Sequence, residues 1–242
     1  MLFNIIILLV SALFGGLLAY KFRSTNKISF DLVLTFAGSY LFGITIVHVI
    51  PELFSSSNSP VTAGIFVLAG FYLQQVLEYL TSGVEHGHMH RPHGEHKHSI
   101  GMAISLLVGL SIHSILEGSL LGHPTVIASS STMPLLLGIV LHKVPAAFAM
   151  MTVLLCQYDK SKWPVIFLMV FALASPIGVA FTETAVLSPL SGEILFALVS
   201  GSFLHISTTI VFESSPQHKF KISRIGISIL GAVVAILVQA LL

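Results

Sequence analysis

The sequence predicts an all-α membrane protein with eight transmembrane helices and both termini outside the cytosol. Hydrophobic residues make up 55% of the 242 positions, charged residues make up only 9%, and the mean hydropathy is +0.95. This balance excludes an ordinary soluble domain. The apolar segments are continuous and do not alternate with polar residues, so they predict helices and not the strands of a membrane barrel. We expect one transmembrane domain over residues 1–242.

Eight apolar segments are each close to the ~20 residues that cross a bilayer core. They cover residues 2–20, 30–51, 60–82, 99–121, 133–156, 163–182, 191–212 and 222–242. The first segment has no basic residue before it and no small-residue cleavage site, which favours a retained helix over a signal peptide. The single cysteine, Cys156, excludes an internal disulfide framework and a CxxC metal site.

The distribution of charge predicts the orientation of the spans. Ten of the eleven basic residues lie in the connections that follow spans one, three, five and seven, or at the start of span eight. They are Lys21, Arg23, Lys27, Arg91, Lys97, Lys160, Lys162, Lys219, Lys221 and Arg224. The opposite side carries Glu52, Glu183 and Glu193 but no lysine or arginine. Because basic loops stay in the cytosol, we expect these connections to be cytosolic.

The connection over residues 83–99 differs in kind from the others. It holds six of the twelve histidines, namely His86, His88, His90, His93, His96 and His98. Glycine, proline and charged residues separate them, so we expect a mobile cytosolic loop without a packed core. Imidazole binds zinc, copper, nickel and iron, which favours weak metal binding. The alternatives are a polar linker of biased composition and a pH-sensitive tether.

Two intramembrane segments carry residues that bind metals. His113 and Glu117 are four residues apart, so a helix places both on one face, about one turn (~5.4 Å) apart. In the next span, His142 offers a third ligand. Nitrogen and carboxylate ligands bind zinc, and also iron, manganese, cobalt or cadmium, and three protein ligands leave room for water. The alternative is a hydrogen-bonded polar cluster that only ties helices together.

Lys143, directly after His142, is a cation inside hydrocarbon. It either lines a cavity at the site or neutralises Glu117 without any metal. Pro145 removes a backbone hydrogen bond, which predicts that the helix opens beside the site.

Other spans carry further polar residues. His48 and Glu52 repeat the four-residue spacing near the outer end of span two. For His205 in span seven and Ser175 in span six, helix packing or pore lining competes equally with metal ligation. Glu78 lies near the cytosolic end of span three, and its side chain is expected to reach the membrane interface.

With these motifs the chain resembles the ZIP (Zrt/Irt-like) family of divalent metal transporters. The resemblance rests on the eight spans, the histidine-rich loop and the motifs HSILEG and HKVPAA, together with SPIG in span six and GSFLHIS in span seven. It implies a ZIP-like bundle in which His113, Glu117 and His142 bind the transported ion. It also implies an elevator-like motion of the bundle that contains spans four and five.

The resemblance also implies roles for neighbouring positions. Ser114 stands where some members have an asparagine that binds a second metal, and Lys143 stands where those members have an acidic ligand, so the ammonium replaces that ion. Ala146 and Ser175 replace acidic residues of other members. By the same analogy His48 and Glu52 lie on the entry path, and His205 lies near the inner exit.

We therefore predict transport of divalent metal ions, zinc foremost, into the cytosol. Zinc is the substrate, and no cofactor, nucleic-acid partner or covalent chemistry is expected. The membrane is expected to be the plasma membrane, or the inner membrane if the source is bacterial, and a homodimer is left open. An intramembrane metalloenzyme would carry HExxH or repeated HxxHH motifs, and neither occurs in the sequence. A metal sensor or scaffold without a transport cycle and a proton-coupled exporter are the remaining alternatives.

Overall fold

The computed structural model describes residues 2–21, 27–81, 100–122, 129–158, 161–184, 188–213 and 222–241, and these ranges are almost entirely helical. The α-helices are α1 (Leu2–Lys21), α2 (Lys27–Ile44), α3 (Ile50–Ser56), α4 (Pro60–Thr81), α5 (Ile100–Gly122), α6 (Ser129–Gln157), α7 (Trp163–Thr184), α8 (Pro189–Thr208) and α9 (Ile222–Leu241). Two π-helical turns, π1 (Thr45–Val49) and π2 (Thr209–Glu213), extend α2 and α8.

Eight of the described helical stretches are long and apolar enough to cross a membrane, which confirms the predicted fold class. Seven of the eight predicted spans agree with the observed helices to within a few residues at each end. The orientation of the termini stays a prediction. The histidine-rich segment over residues 83–99 lies outside the described residues.

The predicted end of the second span is wrong. We placed it at Pro51, whereas the helical stretch continues through π1 into α3 and ends at Ser56. Pro51 lies in the first turn of α3, where its missing N–H interrupts no bond within that helix. In π1, the backbone N–H of Ile50 bonds to Thr45 O, five residues back. The wider turn accommodates the proline without ending the span.

The expected opening of the fifth span at Pro145 is not observed, since α6 is continuous from Ser129 to Gln157 although it contains both Pro134 and Pro145. Departures from α-helical geometry occur in the described residues at π1 and π2 instead. His48 lies within π1, and π2 begins four residues after His205. Single π-helical turns are frequent at functional positions of membrane and soluble helices.

The helices form two bundles. The first bundle comprises α1, α5, α6 and α7, and the second comprises α2, α3, α4, α8 and α9, with the larger helix contacts lying within each bundle. Glycines allow the closest approaches. A Cβ added at Gly118 of α5 would lie 2.0 Å from Ser175 O of α7, and one added at Gly70 of α4 would lie 1.9 Å from Leu198 O of α8. Small residues bring membrane helices together in this way.

Candidate metal centre

Helices α5 and α6 bring three metal-binding side chains to one point. His113 Nε2 lies 2.8 Å from Glu117 Oε1, as the four-residue spacing on α5 predicts. His142 Nε2 of α6 lies 2.5 Å from the same oxygen. One ligand atom from each residue falls within 4.8 Å of the other two. Among the described residues this is the one such group of three or more histidine, cysteine or acidic side chains.

The three side chains are buried within the apolar interior. Glu117 is 1% exposed, and His113 and His142 are each 4% exposed. A cavity of about 10 Å³ adjoins them, with room for about one water molecule. Its apolar lining comes from Leu110, Ala146, Phe171, Ile206 and Ile210. Because burial of ionisable groups in a membrane is costly, such a cluster is more often functional than structural.

The ring of His142 is oriented by its own helix. Its Nδ1 lies 2.9 Å from Gly138 O, one turn earlier. A carbonyl oxygen only accepts, so Nδ1 carries the hydrogen of this bond. The ligand atom is then Nε2, the nitrogen that faces Glu117. Metal-binding histidines are commonly fixed in this way by a backbone carbonyl.

Lys143 completes the polar cluster. Its Nζ donates to Glu117 Oε2 at 3.1 Å and to Ser114 Oγ at 2.9 Å, and it lies 5.1 Å from the centre of the Phe171 ring. The side chain is 1% exposed. Lys143 therefore forms an ion pair with Glu117 and also lines the cavity, so both arrangements that the sequence left open occur together.

Helix α7 supports the cluster from behind. Ser175 Oγ donates to the backbone oxygen of Ser114 at 2.8 Å. This bond requires α5 and α7 to be very close, which Gly118 and Gly178 permit: a Cβ at Gly178 would lie 2.2 Å from Ile115 O. Ser175 thus contacts the backbone of α5 at Ser114, the residue that also accepts a hydrogen bond from Lys143.

The predicted pathway residues form two separate pairs. His48 Nε2 lies 3.3 Å from Glu52 Oε2 at the π1 turn, with each side chain about one-sixth exposed. His205 Nε2 lies 2.6 Å from Glu78 Oε2, and its ring packs against Phe71 of α4. Glu78 therefore pairs with a histidine of α8, a contact that we did not expect from the sequence. The roles of His48, Glu52 and His205 in a pathway stay predictions.

Several residues at the centre were not found from the sequence. Gly138 had an available signal, because it precedes His142 by four residues and so presents its carbonyl to that ring. Phe171, Ile206 and Ile210 had none, since their contribution depends on which faces of α7 and α8 turn toward α5. Apolar residues in a membrane helix look alike whether they face a site or lipid.

Both imidazole nitrogens lie closer to Glu117 Oε1 than neighbouring ligand atoms of a zinc site lie to one another. In a tetrahedral zinc site with bonds of about 2.0–2.1 Å, neighbouring ligand atoms are about 3.3 Å apart. For a zinc ion to bind in this geometry, the two contacts to Glu117 Oε1, at 2.8 and 2.5 Å, would have to lengthen by less than 1 Å. Small rotations of the side chains suffice for that change.

Eight helices that are long and apolar enough to cross a membrane, together with a buried group of two histidines and a glutamate, define an integral membrane protein with a candidate metal centre. A sequence model of the ZIP Zinc transporter family matches residues 82–239, and the chain belongs to this family. That match includes α5 and α6, the helices that carry the three candidate ligands.

Individual relatives agree with this assignment. The chain is 27% identical over 117 residues to zinc transporter ZIP1 of Danio rerio, covering 46% of this chain and 38% of the relative. It is 31% identical over 148 residues to protein zntD of Dictyostelium discoideum, covering 56% of this chain and 21% of the relative. Zinc transporter ZIP1 of Takifugu rubripes is 24% identical over 229 residues, with 76% of this chain and 75% of the relative covered. The chain thus spans well under half of the first two relatives.

Proposed function

We propose that this chain moves divalent metal ions, zinc foremost, into the cytosol as one transmembrane transporter domain. The observation that carries the proposal is the group of ligand atoms from His113, Glu117 and His142, which lie within 4.8 Å of one another inside the membrane helices. Membership of the ZIP family and the names of the zinc transporter relatives support the same substrate. No covalent step is needed, so we do not propose an enzyme.

The ligand set suits an ion that must be released. Two imidazoles and a carboxylate bind zinc well, and they provide one ligand fewer than the closed four-ligand sites that hold structural zinc. Water occupies the remaining position and leaves readily. The ion pair between Lys143 and Glu117 reduces the negative charge that an entering cation meets. Binding is therefore expected to be reversible.

We also propose that the first bundle slides along the second in an elevator-like motion. The position of the centre along α8 supports this. His142 lies near the middle of α6, whereas Ile206 and Ile210, which line the same cavity, lie near the Glu213 end of the α8 stretch. Ile206 is 17 residues beyond Pro189, or about 25 Å along a helix, and a bilayer core is about 30 Å thick. The centre is thus close to one membrane boundary of the second bundle.

Contacts between α2 and α6 support the same displacement. Tyr40 Oη donates to Pro134 O at 3.1 Å. Tyr40 is 16 residues, about 24 Å, from the outer end of the second span at Ser56, whereas Pro134 is only five residues, about 8 Å, from Ser129 where α6 begins. The first bundle is therefore shifted toward the side that carries the basic connections. On the predicted orientation, that side is the cytosol.

Crosslinking between the bundles is expected to stop transport. A Cβ at Gly138 of α6 would lie 3.6 Å from Ile44 Cγ2 of α2, a position that a cysteine Sγ at residue 44 can occupy, so cysteines at these two positions need only a small adjustment to form a disulfide. In a Cys156→Ser background, oxidation of the Ile44→Cys, Gly138→Cys protein should reduce zinc uptake to the level of the uncrosslinked fraction. Reduction of the disulfide should restore it.

The neighbouring residue of α2 gives a matched control. Gly43 faces α9 within the second bundle, and its Cβ would lie 2.9 Å from Ala235 Cβ. A disulfide between Gly43→Cys and Ala235→Cys joins helices of one bundle, so uptake should persist after oxidation. Equal uptake by both oxidised proteins would argue against relative motion of the two bundles.

Measurement of zinc flux across a membrane distinguishes a transporter from a metal sensor. Purified protein in liposomes that contain a zinc-sensitive dye should admit zinc far faster than protein-free liposomes, and His113→Ala should not. A protein that binds zinc in equilibrium dialysis but leaves the dye unchanged would instead support the sensor or scaffold alternative. The same vesicles, made with a pH gradient, distinguish proton-coupled export from uptake.

The remaining expectations accompany this proposal. We propose that the chain lies in the plasma membrane, or in the inner membrane if the source is bacterial, with its basic connections in the cytosol. The six histidines over residues 83–99 would receive the ion on the cytosolic side. His48 with Glu52 would receive it outside, and His205 would lie near its exit. The sequence leaves a homodimer open, and size measurements in detergent can test for it.

A further inference from the structure

The two carboxylate oxygens of Glu117 face different partners. Oε1 faces both imidazoles, with contacts of 2.8 and 2.5 Å to His113 Nε2 and His142 Nε2. Oε2 accepts a hydrogen bond from Lys143 Nζ at 3.1 Å. One oxygen is therefore directed at the metal-binding position while the other is occupied by an ammonium group.

Lys143 is firmly held in this position. Its Nζ also donates to Ser114 Oγ at 2.9 Å and lies over the Phe171 ring. Ser114 is in turn held through its backbone oxygen by Ser175 Oγ of α7. With the side chain 1% exposed, the ammonium has no path to solvent that would free Oε2 while these contacts persist.

We propose that Lys143 determines ion specificity by restricting Glu117 to a single metal-binding oxygen. This inference rests on the proposed transport function. A carboxylate that offers one oxygen, with two imidazoles, leaves a site of low coordination number. Such a site suits zinc, which is tetrahedral with mixed nitrogen and oxygen ligands. Mn²⁺ favours octahedral sites rich in oxygen, so loss of one carboxylate oxygen disfavours it more.

A variant without the ammonium distinguishes the effect of a second carboxylate oxygen from the effect of losing one positive charge. Lys143→Met retains a long apolar side chain, removes the donor and frees Oε2. Loss of a positive charge should strengthen the binding of every divalent cation to a similar extent, because the ions carry the same charge. Release of a second oxygen should favour Mn²⁺ over Zn²⁺. The ratio of the two uptake rates therefore reports the coordination effect alone.

The test compares initial uptake of radioactive manganese and zinc, at equal concentrations, into liposomes that contain the full chain. We expect Lys143→Met to raise the manganese-to-zinc ratio at least about fivefold over wild type, which corresponds to about 1 kcal/mol. Ser200→Ala removes a buried hydroxyl that donates to Phe196 O within α8, and it leaves the contacts of the ammonium and of Oε2 unchanged. Its ratio should stay within about twofold of wild type.

The test distinguishes failure of the specificity proposal from failure of the transport proposal. If wild type moves neither metal, the proposed function fails. If wild type moves zinc, two results for Lys143→Met overturn the specificity role. One is an unchanged manganese-to-zinc uptake ratio, and the other is loss of all metal uptake by a variant that still elutes as a folded protein. Lys143→Leu serves as a second apolar variant if the methionine variant misfolds, and the same rise in ratio is expected of it.

Discussion

Replacement of His142 with alanine is expected to lower the initial rate of zinc uptake at least about tenfold. The substitution removes one of three protein ligands, and even the loss of residues that merely orient a metal ligand typically costs about 10–100-fold in affinity or activity. It also removes the contact between α6 and Glu117 Oε1, at 2.5 Å, that joins the two halves of the centre. Uptake of radioactive zinc into liposomes is the measurement.

A buried polar residue away from the centre provides the control. Ser200 of α8 is fully buried and its hydroxyl donates to Phe196 O within the same helix at 2.7 Å. Ser200→Ala should leave zinc uptake within about twofold of wild type. The two variants are compared with equal amounts of protein in the vesicles. If His142→Ala takes up zinc as fast as this control, zinc transport does not depend on His142.

Gly118→Ala is expected to destabilise the first bundle and to stop transport. The added Cβ would lie 2.0 Å from Ser175 O, a backbone atom that cannot move without displacing α7. Separation of α5 from α7 also breaks the hydrogen bond from Ser175 Oγ to Ser114 O behind the metal centre. Overpacking of this kind typically costs on the order of 1–3 kcal/mol in the free energy of unfolding. Thermal unfolding in detergent, followed by size-exclusion chromatography, measures the loss.

The same substitution elsewhere in the chain isolates the effect of close packing. A Cβ at Gly226 of α9 would meet no atom within 4 Å, so Gly226→Ala should change the free energy of unfolding by less than about 1 kcal/mol. If the two alanine variants unfold at the same temperature, the close approach of α5 to α7 at Gly118 has no energetic importance. The account of how α7 supports the centre would then be wrong.

The secondary structure was largely predictable because a membrane helix is recognised in a sequence by a long run of apolar residues. The eight spans follow from that rule, and the four-residue spacing of His113 and Glu117 follows from helix geometry alone. The rule failed at Pro51, where proline suggests a helix end. The structure instead places it in the first turn of α3, after a π-helical turn. A sequence pattern of period 3.6 does not reveal such local changes in helix geometry.

The arrangement of the helices was not predictable to the same degree. The pairing of Glu78 with His205 depends on α4 and α8 being neighbours, and those helices are separated by more than 100 residues. A glycine such as Gly70 indicates that another helix packs closely against it, but the sequence does not identify that helix. The meeting of His142 with Glu117 was proposed from family resemblance and ligand chemistry, whereas the separate roles of the two Glu117 oxygens depend on atomic positions.

Anomalous X-ray diffraction at the zinc absorption edge, on crystals grown with zinc, tests the central claim most directly. The account predicts a peak about 2.0–2.2 Å from Glu117 Oε1 and about 2.0–2.1 Å from the Nε2 atoms of His113 and His142, with Lys143 still bonded to Oε2. The His142→Ala protein should lack this peak. A zinc ion bound elsewhere among the membrane helices, with this centre empty in the wild-type protein, would contradict the account.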